Sequence, residues 1–159
     1  MANQANESVL APFAGFNFAV EITLPGESSP LCSAAFAECD GLEMTMDVKT
    51  IREGGNNTQQ IRLTGPVSYG AVTLKRGMTG NFDLWRWFRA VQREPRTRVT
   101  ANVVLYAPDR VTVNAEFVLS RCVPVKLKSP PLNAKDGVVA IEELQIAYEQ
   151  LELRGLPDA

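Results

Sequence analysis

Val72-Thr-Leu-Lys-Arg-Gly-Met-Thr-Gly-Asn-Phe-Asp-Leu-Trp-Arg-Trp-Phe-Arg-Ala-Val91 sets the fold class of this chain. The segment starts with the alternation of a β-strand, turns at its glycines and ends in one short helix, predicted over about Phe82–Val91. An apolar stripe with helical spacing supports the helix: Leu84, Trp87, Phe88 and Val91. Most other segments alternate with the two-residue period of strands. The sequence therefore predicts a mainly β fold, an antiparallel β-sandwich or barrel with one short helix packed on it.

The predicted helix has recognisable ends. Asn81 is a suitable N-cap, Asp83 suits the positive end of the helix dipole, and Pro95 follows the last turn. Trp85 lies beside the apolar stripe, which leaves two interpretations open. It is either a side chain packed on a nearby loop or an aromatic residue at an interface, where tryptophan is enriched.

Strands are predicted where apolar and polar residues alternate between turn residues. They cover Phe16–Leu24, Cys32–Glu38, Leu42–Lys49, a strand from Ile61 that Gly65-Pro66 breaks, Val72–Gly77, Thr97–Tyr106, Val111–Leu119, and Arg121–Lys128, where Pro124 favours an edge or a bulge.

The segment 138–153 fits two periods, because Leu144 and Tyr148 belong both to a helical stripe and to a strand alternation. We predict a long, bent strand, since β-branched residues such as Val138 and Val139 favour strands.

The 159 residues make one domain, 1–159, and a content of 45% apolar and 21% charged residues is typical of a globular chain. A net charge of −2 gives no attraction to nucleic acid or to an anionic membrane. No apolar run reaches the ~20 residues that span a bilayer, and the polar N-terminus lacks the pattern of a signal peptide. We therefore expect folding in the cytoplasm, no stable membrane anchoring, no nucleic-acid sequence recognition, and a flexible segment 1–11.

Candidate catalytic groups are sparse. The chain has no histidine, which removes Ser-His and Cys-His arrangements and most zinc sites. Glu142 and Glu143 are adjacent, so on a strand they point to opposite faces. Asp40, Glu43 and Asp47 could lie close together, but ordinary solvated acids explain them. We predict no catalytic, cofactor-binding or metal-binding residues and no enzyme activity.

The three cysteines, Cys32, Cys39 and Cys122, are odd in number and scattered along the chain. This spacing fits neither a disulfide framework nor a CxxC site. We predict that they act as small hydrophobic side chains in a reducing compartment.

So many alternating strands raise the problem of free sheet edges, which pair with other chains. A closed barrel removes the edges, and so does a ring of copies whose sheets join edge to edge. Periodicity alone leaves both arrangements open.

Short segments in a fixed order resemble the tail tube proteins of contractile phages and contractile injection systems and, more distantly, the hemolysin-coregulated proteins of type VI secretion. The resemblance runs from about residue 12 to residue 153. The matching segments are Phe16-Asn-Phe-Ala-Val-Glu-Ile22, Phe36-Ala-Glu-Cys-Asp-Gly-Leu-Glu43, Arg52-Glu-Gly-Gly-Asn56, Val72-Thr-Leu-Lys-Arg-Gly77, Leu84-Trp-Arg-Trp87 and Ala140-Ile-Glu-Glu-Leu-Gln-Ile-Ala-Tyr148.

The resemblance implies a structural subunit of an inner tube. Six copies would form a ring with a continuous β-barrel around a lumen, and stacked rings would be driven through a target envelope. The implied partners are further copies of the chain, a sheath protein, baseplate and tail-terminator proteins, and cargo in the lumen. It also implies assembly in the cytoplasm, a place in a virion tail or injection particle, and release outside the cell on firing.

A loop beyond a predicted strand pair is the candidate contact between subunits or rings, and Trp85 is the candidate interface aromatic. The loop residues are Arg52, Glu53, Gly54, Gly55, Asn56 and Asn57. Two alternatives remain open: a monomeric ligand-binding β-barrel, and a hydrolase that uses carboxylates.

Overall fold

The computed structural model describes residues 11–34, 36–55 and 58–155, with only the backbone over 32–34. Along these ranges run ten strands and one helix, which confirms the predicted mainly β fold with a short helix. The predicted flexible segment 1–11 lies outside the described residues except for Ala11. In chain order the elements are β1 Phe18–Thr23, β2 Cys32–Ala34, β3 Glu38–Asp40, β4 Met44–Ile51, β5 Ile61–Tyr69, β6 Ala71–Gly77, α1 Asp83–Arg93, β7 Val99–Tyr106, β8 Val113–Lys128, β9 Ile141–Ala147 and β10 Gln150–Leu153.

The main sheet is antiparallel and has eight strands, in the order β2-β1-β7-β8-β9-β6-β3, with β10 also beside β8. Strand β8 belongs to both halves of this sheet, because its first part pairs with β7 and β10 and its last part with β9. Arg121 lies near the end of the first part, beside a shift in its register with β7, and has a φ of 53°. Such a conformation in a non-glycine residue marks a local bend of the strand.

One hydrophobic core joins the two halves of the sheet and the helix. On β6 and β9 every second residue is buried, as the two-residue period requires. Leu84 and Trp87 of α1 are buried in the same core. The fully buried apolar residues on the strands include Val20, Ile22, Val72, Leu74, Val99, Leu119, Leu144 and Ile146.

The helix lies close to its predicted position. It spans Asp83–Arg93, whereas the prediction was about Phe82–Val91. The predicted N-cap is displaced by one residue, because Phe82 holds the cap position without a side-chain hydrogen bond. Asn81 still contributes, since its Oδ1 accepts a hydrogen bond of 3.0 Å from the backbone N–H of Asp83.

The predicted break at Gly65-Pro66 is wrong, because β5 runs through it. The two residues lie opposite the single residue Asp47 of β4, so they form a bulge. Proline has no N–H to give to the strand ladder, and a bulge removes the need for one. A Cβ at Gly65 would lie 2.9 Å from the carbonyl oxygen of Asp47, which explains the glycine.

Three other strand predictions need correction or are resolved. The predicted strand Cys32–Glu38 is wrong as one element, because β2 and β3 are separate strands. The predicted strands Val111–Leu119 and Arg121–Lys128 are one strand of 16 residues, β8. The segment 138–153 is extended, forming β9 and β10 with a bend between them, so the bent strand is confirmed and the helix is wrong.

The β4–β5 hairpin continues the β3–β6 pair. Only residues 41–43 separate β3 from β4, and only Gly70 separates β5 from β6. Gly41 has a φ of 102°, and a Cβ there would lie 2.2 Å from the carbonyl oxygen of Ala71. Only glycine fits this close turn, so Gly41 sets the direction in which the hairpin leaves the main sheet.

Candidate functional site

The β4–β5 hairpin is a two-stranded sheet of its own and is exposed along nearly its whole length. An isolated hairpin is only marginally stable in water, and a contiguous exposed apolar surface marks a site of interaction. The hairpin is therefore the first candidate assembly surface. Its large apolar side chains, each 41–62% exposed, are Met44, Met46, Val48, Ile51, Ile61, Leu63 and Val67.

The half of the hairpin nearest the main sheet has an apolar face that continues the core side of that sheet, whereas Ile51, Ile61 and Leu63 lie on the opposite face beyond the bulge. Residues paired directly across two strands share a face, so Met44 lies beside Tyr69 and Met46 beside Val67. Tyr69 packs on the ring of Tyr148 at 5.8 Å between centroids and against the core. The polar residues of β4, such as Asp47, lie on the opposite face.

The predicted contact loop forms the tip of this hairpin. Arg52, Glu53, Gly54 and Gly55 are exposed there, while Asn56 and Asn57 lie outside the described residues. Gly54 and Gly55 form a turn, and Gly55 has a φ of 96°. The tip is thus placed to reach another molecule, and its role as a contact stays a prediction.

Tyr148 anchors the base of the hairpin, a role that the sequence analysis missed. Its hydroxyl accepts a hydrogen bond of 3.1 Å from the backbone N–H of Glu43 and lies 2.9 Å from the carbonyl oxygen of Gly41 and 3.1 Å from that of Glu43. Burial raises the pKa of the Tyr148 hydroxyl, and the hydrogen bond with Glu43 lowers it in part. A tyrosine at a core position of a strand signals such a contact, because its hydroxyl needs a partner.

A buried ion pair ties the helix to the sheet. Arg76 of β6 and Glu142 of β9 are 5% and 1% exposed, and the Arg76 Nε donates a hydrogen bond to Glu142 Oε1. The other carboxylate oxygen accepts a hydrogen bond of 3.0 Å from Trp85 Nε1. The Arg76 guanidinium also donates to the backbone oxygen of Asn81 and lies 5.7 Å from the ring centre of Phe36. Glu142 therefore has a structural role, and Glu143 lies on the other face, as predicted.

Trp85 has one polar edge inside the protein and one face at the surface. It is 36% exposed although its indole N–H is bonded to Glu142. Its ring helps to line a surface cavity of 430 Å³ between α1 and β8. The apolar walls come from Trp85, Phe88 and Leu127, and Arg89 and Gln92 complete the rim. These contacts of Trp85 are with strands β8 and β9 and with its own helix rather than with a loop, and its interface role stays a prediction.

The open face of the main sheet carries rows of charge across four strands. We call the last part of β8 together with β9, β6 and β3 the four-strand wall. Lys128, Glu143, Lys75 and Glu38 are successive neighbours across it, and Lys75 Nζ lies 3.4 Å from a Glu38 carboxylate oxygen. The next row comprises Lys126, Gln145, Thr73 and Asp40. The wall is therefore apolar on its core side and hydrophilic on its open side.

The last part of β8 is irregular at one point. Pro124 pairs with Ile146 and Lys126 with Gln145, so Val125 is an extra residue in β8. The predicted edge or bulge at Pro124 is therefore confirmed.

Two cysteines behave as the sequence predicts. Cys39 and Cys122 carry free thiols, and both belong to the core or pack against it. Burial raises the pKa of Cys122 to about 12, and burial together with the nearby Asp40 raises that of Cys39 to about 11. Both thiols are therefore protonated and unreactive near neutral pH. The side chain of Cys32 lies outside the described part of the chain.

Within the ranges that the structure describes, no group of three or more acidic or cysteine side chains could hold a metal ion. No helix in these ranges is both long and apolar enough to cross a membrane.

Solved structures with similar folds include chains of an anti-feeding prophage and of an extracellular contractile injection system. The chain is similar to a protein in the cryo-EM structure of the anti-feeding prophage baseplate, 6-fold symmetrised, with a TM-score of 0.80 and 25% identity over 92% of this chain and 97% of that one. It shares the fold of a chain in the extended sheath-tube complex of the PVC extracellular contractile injection system, with a TM-score of 0.78 and 18% identity over 98% and 100% of the two chains.

A more distant neighbour is an Hcp protein, with a TM-score of 0.54 and 9% identity over 84% of this chain and 90% of that one. No curated protein matches the chain in sequence. The family model described as T4-like virus tail tube protein gp19 matches residues 14–152, and this match confirms the resemblance inferred from the sequence. With nearly its whole length covered, the chain belongs to the T4-like virus tail tube protein gp19 family.

Proposed function

We propose that this chain is the structural subunit of an inner tube, and that six copies form a ring whose sheets join into one β-barrel around a lumen. Family membership and the 6-fold structure of a similar protein support this role. The observation that carries the proposal is the exposed apolar β4–β5 hairpin beside a wall with one hydrophilic face. The alternatives of a monomeric ligand-binding barrel and a hydrolase find no comparable support.

The four-strand wall gives each copy a lumen surface. Four strands from each of six copies would close a barrel of about 24 strands, wide enough to leave an aqueous channel. The rows from Lys128 to Glu38 would face this channel, and the core and helix α1 would lie outside it. The acid and base residues of the wall alternate, so the lumen would hold cargo without a strong preference for either sign of charge.

The hairpin would be covered by another copy of the chain. Its apolar face continues the core side of the wall, so burial against a neighbour removes apolar side chains such as Met46 from water. Its tip, with Gly54 and Gly55, would reach across the boundary between rings. Both contacts are between identical chains, which fits a head-to-tail ring that stacks into a tube.

Other partners follow from the neighbours in known particles. Similar chains occur in structures titled as a baseplate, a tube-terminating cap and a sheath-tube complex. We propose a sheath protein, a baseplate protein and a terminator protein as partners of this chain. We further propose assembly in the cytoplasm, a place in a phage tail or a tail-like injection particle, release outside the cell on firing, and no catalytic activity.

Electron microscopy of the purified chain tests this function. We expect rings about 10 nm wide with six-fold symmetry, and tubes at high concentration; the width follows from the size of a barrel of about 24 strands. Native mass spectrometry should give six copies for each ring. A chain that stays monomeric at millimolar concentration, and also fails to extend preformed tubes, would contradict the proposal.

A further inference from the structure

We propose that in the ring the acidic outer edge of β3 and β4 in one copy pairs with the basic free edge of β8 in the next copy, and that hairpin methionines enter the cavity beside Trp85. This inference rests on the proposed function, because it names the two edges that the ring would join. It also assigns a use to the acids near Asp40 and to the exposed methionines.

The wall has two lateral edges that the described part of the chain leaves open. At one side, β3 pairs only with β6, and β4 only with β5. At the other side, β8 beyond Val123 pairs only with β9. Open edges with their N–H and C=O groups are templates for pairing with another chain.

Strand direction allows the two edges to meet. The wall contains three antiparallel steps, from β8 to β9, from β9 to β6 and from β6 to β3. After three reversals, β3 runs opposite to β8, so a neighbour placed by rotation about the ring axis presents its β8 antiparallel to β3. The junction would therefore continue the hydrogen-bond pattern of the sheet around the barrel.

The charges of the two edges are opposite. On the β3–β4 side, four exposed acids and one exposed base, Lys49, lie on or next to the edge, and on the β8 side two exposed lysines do. The inner strands carry Lys75 and Glu143, which already face Glu38 and Lys128 within one copy. The edge residues are Glu38, Asp40, Glu43 and Asp47 on one side, and Lys126 and Lys128 on the other.

This complementarity tolerates the tilt of barrel strands. Tilt displaces the register between neighbouring copies along the strand, and only displacements by an even number of residues keep the polar side chains on the lumen face. Acids are spread from Glu38 to Asp47, so such displacements still bring an acid near Lys126 or Lys128. Long-range attraction acts over about 10 Å at 0.1 M salt.

The apolar side chains on the core side of the two edges are complementary as well. Leu127 is the residue between the two edge lysines, and it also lines the cavity beside Trp85 and Phe88. This cavity lies on the core side of the wall, the same side as the apolar face of the hairpin. A neighbour whose β3–β4 edge meets β8 therefore brings Met44 and Met46 toward the cavity, where thioether groups make favourable contacts with aromatic rings.

Charge reversal tests the junction. One chain carries Asp40→Lys and Asp47→Lys, and the second carries Lys126→Glu and Lys128→Glu. Each chain alone would oppose like charges, so we expect the concentration for half-maximal ring formation to rise at least about tenfold at low salt. Mixed in equal amounts, the two chains have complementary edges, and rings with alternating chains should return to the wild-type level.

Controls separate this inference from the proposed function. The control chain Glu27→Lys/Glu94→Lys has the same charge change away from both edges and should assemble as the wild type does. If the wild type forms no rings, the proposed function fails. If the wild type assembles and the single-edge chains assemble equally well at low salt, or if their mixture stays unassembled while both keep the wild-type melting temperature, only this inference fails.

A chain with all four reversals covers the case in which a reversed edge disturbs folding. It keeps complementary edges while it carries every substitution, so ring formation by this chain supports the junction. The neutral chain Asp40→Asn/Asp47→Asn gives a further measurement. Its assembly should lose most of its dependence on salt, and an unchanged salt dependence would overturn the inference.

Discussion

Tyr148 shows how one hydroxyl can fix the direction of a long hairpin. It contacts the backbone on both sides of Leu42, where the chain leaves the main sheet. The neighbouring Gly41 permits the turn, and the tyrosine holds it. The apolar face of the hairpin is therefore aimed by two residues that are not themselves part of it.

We expect Tyr148→Phe to lower the free energy of unfolding by about 1 kcal/mol, because the partly buried backbone groups of Gly41 and Glu43 lose their hydrogen-bond partner. Urea denaturation measures this change. Tyr106→Phe is the matched control, since no hydrogen bond of the Tyr106 hydroxyl occurs among the described residues, and it should change the stability by less than about 0.5 kcal/mol. Equal effects of the two substitutions would contradict the anchoring role.

Cys122 should resist alkylation in the folded protein at pH 8, because burial raises its thiol pKa to about 12. Since the folded pKa lies above the ordinary thiol value of 9.0, the neutral thiol contributes stability below pH 9 that is lost as the pH rises toward 12. Mass spectrometry of peptides after iodoacetamide treatment measures the reaction, with urea-unfolded protein as the reference. Equal labelling of folded and unfolded protein would contradict the prediction.

We expect Glu142→Gln to destabilise the chain by about 3 kcal/mol, because it removes the carboxylate that neutralises a buried guanidinium. The double substitution Arg76→Met/Glu142→Leu removes both charges and should recover most of that loss. Thermal and urea unfolding of the single and double variants measure the coupling free energy between Arg76 and Glu142. A double variant less stable than Glu142→Gln would show that the pair is needed for more than charge balance.

These residue roles differ in how far the sequence could predict them. The opposite orientation of Glu142 and Glu143 follows from strand geometry alone. The partners of Glu142 do not follow from strand geometry, because Arg76 and Trp85 contact it from positions 66 and 57 residues away in the sequence. Such long-range contacts depend on the order of strands in the sheet, which periodicity does not specify.

The hairpin is the element that the sequence predicted least completely. Alternation identified β4, and the glycine-rich loop identified its tip. Gly65-Pro66 carried the signal of a chain break, but a bulge uses the same two residues within a continuous strand. Local sequence cannot separate these cases, since a bulge is defined by the residue on the opposite strand.

We expect Gly54→Trp to block the stacking of rings while it leaves the isolated subunit folded. Gly54 has open space around its Cβ position, so the free energy of unfolding should change by less than about 0.5 kcal/mol. Gly55 is the poorer choice, because its φ of 96° strains any other residue. Electron microscopy should show single rings instead of tubes.

Gly137→Trp is the matched control for the loop, because it has equally open surroundings in another loop. If Gly54→Trp still forms tubes of normal length, the loop makes no essential contact between stacked rings. Loss of the folded subunit would instead give the loop a role within one chain.

For the molecule as a whole, assembly should depend on the apolar face of the hairpin. We expect Met44→Ser/Met46→Ser to raise the concentration for half-maximal ring formation at least about tenfold, because these exposed side chains gain burial only in the ring. Thermal unfolding of the subunit should change little. Analytical ultracentrifugation measures the amounts of ring and of isolated subunit.

Val111→Ser/Leu132→Ser is the control for the methionines, since these residues are 79% and 91% exposed elsewhere on the surface. If this control assembles as poorly as the methionine variant, the defect comes from a general loss of apolar surface and not from the hairpin.

The overall architecture was predictable from alternation, one helical stripe and the family segments. The ring is not contained in one chain, so its contacts require experiments on the assembled particle.

The extra residue at Val125 and the missing amide hydrogen of Pro124 affect how readily unassembled copies of the chain aggregate. Together they shorten the regular margin of β8 to Lys126, Leu127 and Lys128, and β3 offers only three residues in return. Short, interrupted margins are poor seeds for fibrils. Irregular pairing of copies through these margins should therefore be weak, and the ring is favoured over a fibril because it also buries the apolar face of the hairpin.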